Sequence, residues 1–130
     1  ALNPAKALAD ETGAIVVVSG ETDYITDGNA VETVKNGNPM MTKVTGMGCT
    51  ASAITGAFTA VNPNFLEAAT HAMLIMGIAG ETAARISKGN GSLQLNFLAT
   101  LFTIDEKIIR ENIRLWLPTG HYPWEGPSNM

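Results

Sequence analysis

Apolar and polar residues change their spacing several times along this chain, and each change marks an element. Pro4 to Thr12 carries Leu8 and Ala9 on one helical face and stops at Gly13. Ala14-Ile15-Val16-Val17-Val18 is then an unbroken, mostly β-branched run, which suits a strand buried on both faces of a parallel or mixed sheet. Asp23 to Thr26 and Ala30 to Val34 read as two short strands that turn at Asp27-Gly28, the second ending at Asn36-Gly37; both dipeptides accept the positive φ of tight turns. Met40 to Val44 reads as a further extended segment. Cys49 to about Val61 is a helix so rich in Ala, Ser and Gly that its backbone can lie close against the sheet.

Asn62-Pro63-Asn64 breaks that helix, and Phe65 to Ser87 forms a long one in which Met73, Ile75, Met76, Ile78 and Ala79 are core positions. Lys88 to Gly91 is a loop. Ser92 caps a helix to about Phe102, and Thr103 with Glu106 three residues on forms a capping box for a last helix to about Trp116. From Pro118 on, three prolines and two glycines exclude regular structure. The pattern holds one domain, residues 1–116, and an irregular tail, residues 117–130.

The candidate chemistry lies in Thr45-Gly46-Met47-Gly48-Cys49-Thr50. Two glycines one residue apart let the backbone turn sharply and approach a ligand, while the helix that follows aims unpaired N–H groups and the positive end of its dipole into the same space. The result is an anion hole suited to a phosphate, made by Thr45, Gly46, Met47, Gly48 and Cys49. Tight strand-to-helix packing would also explain the glycines. Cys49 is the only cysteine in the chain, and a thiol at a helix N-terminus can have its pKa drawn below the ~8.5 of free cysteine, which makes a partial base near neutrality. The alternative is a small cysteine that only packs. Ser19 ends the Val-rich strand, where open α/β sheets form ligand crevices, though strand-ending turns also use serine.

The stretch from Met41 to Cys49 resembles the anion-hole motif of the hydroxyethylthiazole kinases, a branch of the ribokinase-like superfamily. Val18-Ser19-Gly20-Glu21-Thr22-Asp23 is similar to that family's strand-turn T/S-G-E-x-D, and Lys88-Gly89-Asn90-Gly91-Ser92 to its K-G-P-G-S turn, in the family's order over roughly residues 1 to 102. The resemblance implies a three-layer α/β fold, represented here by its C-terminal half with a β-hairpin, the anion hole and a helical layer. It implies transfer of the γ-phosphoryl group of ATP, brought with Mg2+, to the hydroxyl of 4-methyl-5-(2-hydroxyethyl)thiazole in thiamine biosynthesis. Ser19 and Gly20 would then bind ATP, Gly46 would lie against the substrate's hydroxyethyl arm, and Cys49 would stand where most of the superfamily has a catalytic aspartate. A homotrimer with active sites shared between subunits is implied too. The acidic motif that holds magnesium and most of the thiazole pocket would belong to the other half, carried by a longer chain or a separate one.

Composition narrows the remaining choices. With 45% hydrophobic and 15% charged residues the chain is an ordinary globular one, and a net charge of −4 with only 8 basic residues argues against a nucleic-acid partner. Ala68 to Ala84, the most apolar stretch, is interrupted by His71, Glu81 and Thr82, so a buried helix is expected and not a membrane span. The lone cysteine and the absence of a basic leader fit a cytoplasmic protein. Glu21, Asp23 and Asp27 read as turn residues before metal ligands, so no metal site is expected among them. His71 reads as a packing residue, and two histidines with one cysteine give no zinc spacing. Two other readings stay open: a ribokinase-like kinase for a pyrimidine or sugar alcohol, against which Cys49 in place of aspartate speaks, and a non-catalytic nucleotide-binding module.

Overall fold

The computed structural model describes residues 2–116; the irregular tail expected from residue 117 lies outside them. Helix α1 (Leu2–Thr12) leads into β1 (Val16–Val18), and two tight connections follow to β2 (Asp23–Thr26) and β3 (Val31–Val34). The strands form one antiparallel sheet in the order β1-β2-β3-β4, the last being a two-residue strand, β4 (Leu115–Trp116), that pairs with Thr33 and Val34. Antiparallel pairing replaces the parallel or mixed sheet read from the apolar run. The connections decide this, because turns of two to five residues can only reverse the chain. β1 is half-buried, with one edge unpaired among the described residues.

Alternation on β2 separates two layers. Ile25 packs with Val34 and Val17 on the face covered by α3 (Phe65–Arg85), while Thr26 on the other face bonds Ala30 O and Gly28 N. Helix α1 buries Ala5 and Ala9 against β1 and β2, and Leu8 is half-exposed, so the buried stripe is i, i+4 and not the adjacent pair.

Helix α3 is the centre of the molecule. It touches β2 and β3 on one side and α2 (Met47–Val61), α4 (Asn90–Thr103) and α5 (Glu106–Asn112) elsewhere, and Ala72, Ile78, Ala79 and Ala83 are fully enclosed. The Ala-rich α2 packs on α3, not on the sheet, and none of its residues is fully buried. Small residues permit close packing but do not choose the neighbour. Asn64 caps α3 by accepting from Glu67 N, and His71 meets Phe58 edge-on at 6.3 Å, the packing role expected of it.

Three local readings change. Met40–Val44 is not extended, because Asn38 caps a short 3₁₀ helix, Pro39–Lys43, with Pro39 in its first turn. Ser92 sits inside the first turn of α4 and accepts from Lys88 N and Gly89 N, so Gly89 takes the cap position. Asp105, not Thr103, caps α5, and that helix ends at Asn112 because the chain beyond it is held in β4.

A buried polar clamp holds it there. Glu81, 6% exposed, accepts from Asn36 Nδ2 and Gly37 N and pairs with Arg114, while Asn36 donates to Asn112 O and accepts from Arg114 N. Gly77 of α3 lies against this pinned asparagine: a Cβ there would be 2.5 Å from Asn36 Cβ and 2.7 Å from its carbonyl carbon. Gly77→Ala is therefore expected to destabilise the protein by about 1–3 kcal/mol, read as a lowered thermal midpoint. An unchanged midpoint would show that Asn36 yields. At Gly80 the neighbour is the flexible side chain of Met41, so Gly80→Ala should cost less.

Candidate active site

Strand register brings the carboxyl ends of β1 and β3 to one end of the sheet. Val18 pairs with Tyr24 and Asp23 with Val34, so the carboxyl ends of β1 and β3 point the same way. The first delivers Ser19 and Gly20, both exposed. The second delivers Asn36 and Gly37, from which the 3₁₀ helix leads to Thr45.

At the first strand end, Gly20 N–H donates to Asp23 Oδ1 at 3.0 Å. Asp23 is 9% exposed, and its burial raises the carboxyl above the usual carboxylate range, with the Gly20 bond pulling the other way. The acidic trio is dispersed in role. Asp27 accepts from Asn29 N and Ala30 N in the hairpin turn, Glu21 is exposed, and among the described residues no group of three or more His, Cys, Asp or Glu side chains could hold a metal ion.

Beyond the 3₁₀ helix, Gly46 is the N-cap of α2 with φ 86°, ψ 5°, the left-handed region that L side chains rarely adopt. No side chain caps this helix. Thr50 N–H is the first to bond within it, to Gly46 O at 3.0 Å, which places Gly46, Met47, Gly48 and Cys49 at the four positions whose amides have no helical partner. A Cβ built on Gly46 or Gly48 meets no protein atom within 4 Å, so both face open space. The helix begins at Met47, two residues before the expected start, which puts Cys49 in its first turn. Cys49 is a free cysteine, exposed to solvent.

The structure also joins two stretches that the sequence leaves apart. Asn90 Nδ2 donates to Lys43 O at 3.0 Å and so ties the Lys88–Ser92 turn to the segment that enters the anion hole. A proline at that position, as in the K-G-P-G-S pattern, could not make this bond. Residue pattern alone reveals neither this contact nor the Asp23 one, since no periodicity marks a single side chain that reaches a loop amide or carbonyl. Among the described residues no hydrogen bond connects the Ser19–Gly20 turn with the anion hole.

An antiparallel sheet covered by helices, with an uncapped, glycine-led helix and a strand-end turn, is consistent with a partial ribokinase-like α/β fold. The family model described as the hydroxyethylthiazole kinase family matches residues 1–107, and the chain belongs to that family. It is 51% identical over 115 residues to a hydroxyethylthiazole kinase of Syntrophus aciditrophicus and 50% over 118 residues to one of Granulibacter bethesdensis, covering 88% and 91% of this chain and 43% of each relative. A solved hydroxyethylthiazole kinase structure from Pyrococcus horikoshii matches with a TM-score of 0.83 at 37% identity, over 86% of this chain and 44% of the other. The chain thus spans less than half the length of the relatives it matches.

Proposed function

We propose that residues 1–116 are the C-terminal part of a kinase domain, which, in the complete protein, transfers the γ-phosphoryl group of ATP to the hydroxyl of hydroxyethylthiazole for thiamine biosynthesis. The observation that carries this is the start of α2: four amides without helical partners behind a left-handed glycine, open to the outside, in a chain half identical to proteins of that name. Phosphoryl transfer depends mainly on positioning and charge stabilisation, and preorganised amides supply both. In this reading Gly46, Met47, Gly48 and Cys49 direct their N–H groups at the transferred phosphoryl oxygens, with Thr45 adjoining. Gly46 leaves room for the hydroxyethyl arm, and the Cys49 sulfur takes the proton of the acceptor hydroxyl. Ser19 and Gly20 meet ATP at the end of β1. Since the Gly20 amide is engaged by Asp23, the Ser19 hydroxyl is the donor left for the nucleotide.

Mg2+ would accompany ATP; among the described residues no group of three or more His, Cys, Asp or Glu side chains could hold it. Association of copies into a homo-oligomer, a trimer in the family reading, would cover Leu95, Leu98 and Phe102, which lie exposed along α4. No described helix is long and apolar enough to cross a membrane, and a free exposed thiol suits the cytoplasm.

The test is ATP-dependent phosphorylation by the complete protein across a panel of hydroxyethylthiazole, pyrimidine alcohols and sugars. Preference for the thiazole is expected, and preference for another alcohol would overturn the assignment. Ser19→Ala should weaken ATP binding by about 0.5–1.5 kcal/mol, the worth of one neutral hydrogen bond. Thiazole binding should stay unchanged in calorimetric titration; equal losses for both ligands would remove ATP from this strand end.

A further inference from the structure

The turn from β1 to β2 is closed by a carboxylate on a main-chain amide. Gly20 N–H donates to Asp23 Oδ1, and Asp23 is 9% exposed at the first position of β2, paired with Val34 on the face that α3 covers. A carboxyl in such a place is unfavourable for stability, because burial penalises its charged form. The neighbouring acids do different work: Asp27 shapes its own hairpin turn and Glu21 faces solvent. What Asp23 does achieve is to fix the one amide between the strand end and the turn, and with it the path of the chain at Ser19.

We propose that Asp23 is a positioning residue for the nucleotide, which holds the Gly20 amide so that the turn presents the Ser19 hydroxyl to ATP. It does not touch ATP. The inference rests on the reading above that the nucleotide lies at the end of β1, and the experiment separates the two.

In the complete protein, Asp23→Ala should raise the KM for ATP about 5- to 10-fold, within the worth of the single neutral Ser19–ATP hydrogen bond that it positions, with kcat and the thiazole KM within about twofold. Asp23→Asn should restore the ATP KM, since an amide oxygen accepts the same N–H. Amide exchange at Gly20 should be fast in Asp23→Ala and slow in the parent and in Asp23→Asn. If Asp23→Ala does not fold, Asp23→Ser replaces it, keeping a polar group too short to reach Gly20, under the same criteria. An unchanged ATP KM, an equal rise in the thiazole KM, or failure of asparagine to restore would each overturn the proposal. Ser19→Ala, measured alongside, reports on the underlying reading: if it leaves ATP binding intact, the nucleotide is not at this strand end.

Discussion

Gly46→Val is expected to abolish phosphoryl transfer in the complete protein while leaving it folded. At φ 86° a left-handed backbone costs an L-residue roughly 1–2 kcal/mol, and a β-branched side chain is among the least tolerated there. The Cβ would meet no atom of the protein, so the fold has no packing reason to fail. Two effects then act on the reaction. Valine fills the space left for the substrate's hydroxyethyl arm, and relief of the strained φ rotates the amides that follow. Loss of a single preorganised donor lowers the rate about 10²- to 10³-fold in other active sites, and here several would be misdirected together. Steady-state turnover, with circular dichroism and a melting curve as controls, decides it: near-normal turnover would remove the anion hole from the mechanism.

Cys49 has the second-largest expected effect, and two substitutions separate a base from a spectator. Cys49→Ala should lower kcat by about 10²-fold at most, because the amides of Gly46, Met47 and Gly48 remain and general-base help is worth 10²- to 10⁴-fold in favourable cases. Cys49→Asp should hold or raise activity, since a carboxylate is ionised at neutral pH and the exposed first turn of α2 has room for it and favours its charge. An alanine variant as fast as the parent with a dead aspartate variant would show that the thiol only fills its position.

Much of the site was legible because it is local. The G-x-G run before a small-residue helix lets the backbone turn sharply and leaves the first amides unpaired, and the structure has a left-handed cap at Gly46 with the first helical bond at Thr50. The hairpin turn at Asp27-Gly28 and the break at Asn62-Pro63-Asn64 are of the same kind. The 3₁₀ helix was nearly local, but its determinant is the Asn38 cap joined to Pro39, which alternation in Met40–Val44 does not contain. Asp105 displaced Thr103 as the α5 cap because Thr103 is still the last residue of α4, while Asp105 has the extended backbone of a cap and accepts from Ile108 N.

By itself, then, the sequence determined the five helices and the strands β1 to β3, the glycine turn that opens α2, and the family, since each depends on residues close together in the chain. Only tertiary structure decided that α2 leans on α3 and that α5 gives way to β4 at Asn112. Those outcomes depend on partners far along the chain: Asn36 reaches Glu81 across 45 residues and Arg114 across 78, and Asn90 reaches Lys43 across 47. Side-chain spacing encodes which face of an element is apolar. It does not encode which other element will cover that face, because that choice follows from the packing of the whole domain.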